Sequence, residues 1–169
     1  MPSFTIRPAT PADVPAILSL IRELAAYEKL SHACVATEDL LTRHLFGEGT
    51  EKAAEALVAE APADSGGGAT SIVAYAIYFK TFSTFLARPG LYLEDLYVQP
   101  AHRHRGIGTA FFRRLAAIAL ARNFGRIEWS VLTWNAPALT FYQQLGAQPL
   151  TDWSMMRLTE ESFPTLAHS

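Results

Sequence analysis

The sequence predicts an α/β fold, a single domain over residues 1–169 in which helices flank a central mixed sheet. Three observations carry this reading. Some segments repeat apolar residues at helical spacing, whereas others alternate or run apolar throughout. The two kinds interleave in the order βααβββαβαββ. Glycine, proline and asparagine fall between them as punctuation. A chain of 169 residues suits one domain, because at that size roughly 70% of the extended surface can be buried.

Phe4-Thr-Ile-Arg7 alternates and predicts the first strand. Thr10-Pro11-Ala12-Asp13 then reads as a helix start, with threonine as N-cap, proline at the first position and aspartate in the first turn. Val14, Ile17, Leu18, Ile21, Leu24 and Ala25 follow at helical spacing to about Glu28. A shorter helix is predicted over 37–46, ending before Gly47. Ala56–Ala61 is a short apolar strand, and 62–68 is a glycine-rich turn too short to separate domains. Ser71–Lys80 is apolar on nearly every residue and therefore expected to be covered on both faces. Leu91–Val98 is a strand that carries two acids, Glu94 and Asp95. Gly106 to about Asn123 is helical, with Ile107, Phe111, Leu115, Ile118 and Ala119 on one stripe. A strand over 126–132 and a helix over 135–145 follow, with Gly146 as the C-terminal glycine. Residues 147–158 predict a final pair of short strands or a hairpin.

Composition removes several function classes. Half the residues are hydrophobic and 18% are charged, which excludes a disordered chain. A net charge of -2 gives no broad basic field for nucleic acid or an anionic membrane. Positive charge is local instead, at Arg103 and Arg105 with His102 and His104 beside them. Cys34 is the sole cysteine, so an intrachain disulfide and a cysteine zinc site are both excluded. The two histidines lack spacing to a third ligand, and no metal is expected. No apolar run reaches the roughly 18 residues of a membrane span, and the N-terminal residues lack the regions of a signal peptide. A soluble, cytoplasmic protein is expected.

The chemistry concentrates at Leu93-Glu94-Asp95-Leu96-Tyr97-Val98 and the following Pro100-Ala-His-Arg103-His104-Arg105-Gly106-Ile107-Gly108-Thr109. An acidic strand runs into a basic, glycine-rich loop that opens a long helix. Glycines let backbone approach a ligand, unpaired amides at the helix start face outward, and guanidinium groups add positive charge, as a pyrophosphate cradle requires. A dinucleotide fingerprint would need a third glycine, and a P-loop would need lysine before Thr109; both are missing. A transferase using a phosphate-bearing cofactor is the leading reading.

Arg103-x-x-Gly106-x-Gly108 resembles the acetyl-coenzyme A motif of the GNAT N-acetyltransferase superfamily. A second signature, from Val131 through Trp134-Asn135-Ala136-Pro137-Ala138 and Phe141-Tyr142 to Gly146-Ala147, is similar to the segment lining the other side of the coenzyme in that superfamily. Ile6–Thr10, Ile21–Glu28, Phe46-Gly47, Leu57–Glu60 and Tyr92–Asp95 extend the resemblance, over about residues 4–158, to its diamine (spermidine/spermine) and thialysine acetyltransferase branch. The resemblance implies a twisted sheet splayed between its fourth and fifth strands, the one ending near Val98 and the one beginning near Arg126. It implies acetyl-CoA as co-substrate. The pantetheine arm would enter the split against backbone of Leu96, Tyr97 and Val98, and the pyrophosphate would sit on the amides of His104, Arg105, Gly106, Ile107, Gly108 and Thr109. Asn135, Ala136, Pro137 and Ala138 would line the coenzyme, and Arg103 and Arg105 would contact its anions. Homodimers, with acceptor sites near the interface, are common in the branch.

By the same resemblance Tyr142 is the general acid that returns a proton to departing coenzyme A, a task that suits a phenol neutral at pH 7. Read alone, Tyr142 would be a core tyrosine. Glu94 matches the residue that binds the amine and helps remove its proton; read alone, it would belong to a buried salt bridge. An alkyl ammonium, with a pKa near about 10.4, must lose a proton before it attacks a thioester. Adjacent positions on a strand predict that Glu94 and Asp95 point to opposite faces, so no dyad is expected. Tyr27, Glu28, Asp95, Glu128, Trp129, Ser130 and Asp152 complete the expected acceptor contacts. Three departures bear on the acceptor: Thr133 replaces a common acid, Phe85 a common tryptophan, and the segment after Gly146 is shortened. Fewer acids weaken selection for a long polycation, so a short diamine or lysine-like amine fits at least as well as spermine. Two other readings stay open: a coenzyme-binding regulatory protein without turnover, and an enzyme for peptide or drug amines.

Overall fold

The computed structural model describes residues 4–63 and 69–168, so residues 64–68 of the expected glycine-rich turn lie outside it. The strands are β1 (Thr5–Pro8), β2 (Glu55–Pro62), β3 (Thr70–Ser83), β4 (Arg88–Val98) and β5 (Ile127–Trp129). The helices are α1 (Val14–Tyr27), α2 (Glu38–Phe46), α3 (Ile107–Ala121), α4 (Ala136–Gln144) and a short α5 (Phe163–Ala167). The chain divides into two compact units, one running to Ser130 and the other starting at Val131.

In the first unit the five strands form one sheet in the order β1-β2-β3-β4-β5. Sequential neighbours are antiparallel as far as β4, β1 and β2 being linked through α1 and α2 and β3 and β4 by a short turn. β5 returns through α3 and pairs with β4 in parallel, as a strand after a crossover helix must to be parallel. That pairing covers only Leu91–Leu93 against Ile127–Trp129. Among the described residues β4 then has no strand on that side from Glu94 to Val98, which is the splay expected between the fourth and fifth strands.

Each face of the sheet has its own core. Leu57, Ala59, Ala76, Leu91 and Leu93 pack with Ile107, Phe111 and Leu115 of α3. Val58, Tyr75, Ile77 and Tyr97 pack with Ile17 and Leu20 of α1 and Leu45 of α2. The stripe read for α3 contains all three of its contributions, whereas the stripe read for α1 contains Ile17 but omits the buried Leu20. β3 is buried from Val73 to Tyr78, as a run covered on both faces must be.

The start of α1 is fixed by ions as well as by its cap. Asp13 accepts from the Thr10 backbone N–H at 2.7 Å and from both terminal nitrogens of Arg7 at 2.7 and 2.8 Å. Arg7 also donates to Glu60 of β2 through Nε at 2.9 Å. The guanidinium beside it pulls the Asp13 carboxyl down to about 2. At α2, Thr37 Oγ1 accepts from the Leu40 N–H at 3.2 Å.

In the second unit Asn135 caps α4, its Oδ1 accepting from the Ala138 N–H at 3.3 Å. Gly146 ends the segment at φ 88°, a left-handed conformation that favours glycine. The hairpin expected over 147–158 is not formed: these residues are irregular, with one turn at 151–152. Apolar residues such as Trp153, Met155 and Leu158 suit a strand, but a strand also needs a neighbour to complete its ladder. None of the described residues supplies one. β5 is likewise shorter than the expected 126–132, because its ladder with β4 stops at Trp129. Among the described residues no helix is long and apolar enough to cross a membrane.

Candidate active site

β4 does not alternate simply. Ile77 of β3 faces Asp95 and Tyr78 faces Leu93, so the register shifts and Glu94 has no partner across the ladder. Leu93 and Leu96 both pack on the α3 side, which leaves two residues between them where regular alternation allows one or three. Asp95, paired with Ile77, and Glu94, opposite in sense to Leu93, therefore share the face covered by α1 and α2. This corrects the expectation that adjacent strand residues must diverge. The extra residue is a β-bulge, a feature that re-aims side chains. No single-sequence signal marks it, since it depends on what β3 offers opposite.

The two acids differ in setting. Glu94 is exposed, whereas Asp95 is part-buried and accepts from the Tyr75 hydroxyl at 3.3 Å. Burial pushes the Asp95 carboxyl up to about 6, with the charges of Glu94 and then Glu28 adding to the rise; the Tyr75 hydrogen bond opposes it and loses. Burial also raises the Glu28 carboxyl at the end of α1. Among the described residues no lysine or arginine pairs with Asp95. Asp95 thus feels two further carboxylates and has no cation paired with it among the described residues, a setting that favours a positively charged visitor. Tyr75, fully buried on β3, was not expected in the site; in the sequence it is one more residue of an apolar run.

The glycine-rich loop follows β4 through a short turn over Pro100–His102. His104 and Gly106 both take left-handed backbone conformations, at φ 60° and 84°. Gly106 caps α3 without any side-chain hydrogen bond to the helix, and a Cβ there would meet no atom within 4 Å. Open space over a helix start whose first amides receive no capping side chain fits the cradle expected for a pyrophosphate. Arg105 is exposed beside it.

Arg103 does something else. Its Nε donates to the Val98 carbonyl at 2.9 Å, and its guanidinium carbon lies 5.2 Å from the ring centre of Tyr27 and 5.6 Å from that of Tyr97. The Tyr97 hydroxyl in turn donates to Glu23 at 3.2 Å, and Gln99 donates to the same carboxylate at 2.9 Å. The side chain expected on an anion is bonded to the end of β4 and lies within cation–π reach of two tyrosines. Leu96 and Val98 send their side chains to the α3 core.

The remaining expected acceptor contacts on β5 and just beyond it have partners of their own. Trp129 stacks edge-on against Phe112 at 5.0 Å, Glu128 pairs with Arg126 at 2.7 Å, and Ser130 hydrogen-bonds the Tyr92 hydroxyl at 2.7 Å. In the second unit, Tyr142 lies part-buried on α4 with its ring 5.4 Å from Phe141. Asp152 is exposed in the turn. Among the described residues no group of three His, Cys, Asp or Glu is arranged to hold a metal ion.

With this geometry in view, the chain can be set beside known proteins. The family model described as Acetyltransferase (GNAT) family matches residues 22–147. A thialysine N-epsilon-acetyltransferase of Mus musculus is 39% identical, over 99% of both chains. An L-ornithine N5-acetyltransferase of Arabidopsis thaliana is 29% identical over 95% of this chain and 86% of its own. Among solved structures, an integron cassette protein of V. cholerae superposes with a TM-score of 0.75 at 22% identity, covering 99% of each chain, which is a likeness of fold.

Proposed function

The chain belongs to the acetyltransferase (GNAT) family and is an N-acetyltransferase, and we propose that it moves the acetyl group of acetyl-CoA directly to a primary amine of a small, basic acceptor. The observation that carries the acceptor class is the pairing of Glu94 and Asp95 on one face of the sheet without a cation on Asp95, with the charge of Glu28 at the end of α1 acting on Asp95 as well. An ammonium group entering it would supply the missing positive charge. The mouse relative acts on thialysine and the plant relative on ornithine, both short amines with a free ammonium. A short diamine or lysine-like acceptor fits this patch.

Acetyl-CoA supplies the activated thioester. The chain's own groups do the rest. The amides of 104–109 and Arg105 hold anionic oxygens, and Asn135 to Ala138 line the coenzyme. Asp95, with Glu28 and Tyr27, attracts the ammonium. Glu94, unpaired on the bulge and open to water, takes the proton toward solvent. Tyr142 holds a proton at its hydroxyl for the departing sulfur. Residues 1–169 act as one catalytic domain, since the family match runs across the Ser130–Val131 boundary. The resemblance to the diamine branch further supports a homodimer, working in the cytoplasm.

The test is coenzyme A release measured against thialysine, ornithine, lysine, putrescine, spermidine and spermine, with Tyr142→Phe beside the parent. We expect turnover on the short amines and a loss on the order of 10²–10⁴-fold in the variant, at an unchanged melting temperature. Acetyl-CoA binding in calorimetry with no thiol release from any amine would replace this reading with a regulatory protein. A Tyr142→Phe enzyme as fast as the parent would move the acid elsewhere.

A further inference from the structure

We propose that Arg103 is a positioning residue for the acceptor side of the reaction, not an anion ligand. The inference rests on the reading of Tyr27 and the acidic patch as the acceptor side. Its geometry stands apart from that reading. The guanidinium carbon lies 5.2 Å from the ring centre of Tyr27, at the end of α1, and 5.6 Å from that of Tyr97, on β4. Both distances are within the reach of a cation–π contact, about 6 Å. Nε is spent on the Val98 carbonyl at 2.9 Å. A part-buried fork held this way has its Nε spent on the backbone and its charge within reach of two rings. The glycine loop carries a second arginine, Arg105, which is exposed and free to meet anions.

The consequence is mechanical. Tyr27 is the last residue of α1 and adjoins Glu28, whose charge acts on Asp95. Val98 is the last residue of β4, where the cofactor loop departs. Arg103 therefore ties the end of the acceptor helix to the origin of the cofactor loop. Glu23 makes a second tie in parallel, accepting from Tyr97 and Gln99. With two ties, loss of Arg103 leaves α1 seated but releases its last turn. Tyr27 and Glu28 then lose their fixed place beside Asp95, and the amine is held less well. The amides that hold phosphate are backbone groups of a turn and a helix start, and they need no contribution from this side chain.

Three variants test the inference: Arg103→Met, which keeps the stem but loses the cation and the Val98 bond; Arg103→Lys, which keeps a cation over the rings; and Tyr27→Leu. Initial rates against thialysine at saturating acetyl-CoA give the KM of the amine, and calorimetry gives the Kd of acetyl-CoA. We expect Arg103→Met to raise the amine KM by about 5- to 30-fold, the range of a partly buried cation–π contact, with the acetyl-CoA Kd changed by less than about threefold. Arg103→Lys should recover most of the loss. Urea unfolding of the single and double variants reads the Arg103–Tyr27 contact without any substrate, and the two changes should couple by about 3- to 30-fold in the unfolding constant. An amine KM near the parent value with a tenfold weaker acetyl-CoA Kd would return Arg103 to the anion site and overturn the inference, as would additive unfolding. An enzyme idle toward every amine, yet with coupled unfolding, would instead count against the acceptor reading while keeping the tie. If Arg103→Met fails to fold, Arg103→Lys and Tyr27→Leu carry the same comparison.

Discussion

Asp13 and Asp95 are two sheltered aspartates in one compact unit, and their surroundings push them in opposite directions. Asp13 sits against Arg7 in a two-pronged ion pair and is held down to about 2. Asp95 has a tyrosine for its nearest partner and carboxylates for neighbours, and it rises to about 6. The first arrangement is complete in charge: the carboxylate meets the Arg7 guanidinium on both oxygens and the Thr10 N–H and hydroxyl on one. The second is incomplete, because the charged form lacks a counter-ion. An incomplete site weakens a fold and is retained where a ligand completes it. The contrast separates an acid with an ion-pair partner from one without, and under the proposed function the second is where an acceptor's ammonium would sit.

The largest effect that would sharpen this contrast is catalytic. Glu94→Gln should lower turnover by roughly 10²–10⁴-fold, while Asp13→Asn, in the same coenzyme A release assay, should leave the turnover of folded enzyme near the parent value. Equal losses from both would erase the distinction. Next come the stabilities, which should move in opposite senses. The depressed value of Asp13 contributes stability above about pH 4, worth about 2 kcal/mol, that is lost as pH falls through 2. Asp13→Asn should therefore lower the unfolding free energy by about that much at pH 7. Asp95 has a raised value, so its ionisation works against the fold: stability should decline as pH rises from about 4 to about 6. Asp95→Asn should remove that slope and gain up to about 3 kcal/mol at pH 8, read by urea unfolding, while weakening the amine KM. A stability loss at pH 8 would mean that Asp95 already has a counter-ion.

The smallest effect concerns the limb of the activity profile. If ionised Asp95 holds the amine, kcat/KM should fall as pH drops through about 6. The Tyr75 hydrogen bond favours the charged carboxylate, so Tyr75→Phe should move that limb to higher pH by a few tenths of a unit. A shift to lower pH would show that the hydroxyl serves the protonated form.

Much of the molecule is legible in its sequence because periodicity and punctuation are local. The stripe from Val14 to Leu24 makes α1, Asn135 caps its helix, and Gly106 and Gly146 take the left-handed turns that glycine allows. The order of elements, and with it the α/β sheet, follows from those patterns. The glycine loop and the acids of β4 are chemistry-bearing residue types at fixed spacing, so the candidate site is legible too. Tertiary structure decided what depends on the residue opposite. The bulge that turns Glu94 and Asp95 to one face is a register between β3 and β4, set fifteen or more positions away in the chain. Tyr75 becomes the partner of Asp95 only once those strands align, and Arg103 finds Tyr27 only when α1 packs beside the end of β4. Residues 147–158 carry apolar side chains fit for strands but gain none, because a ladder is a property of two segments and a sequence pattern is a property of one.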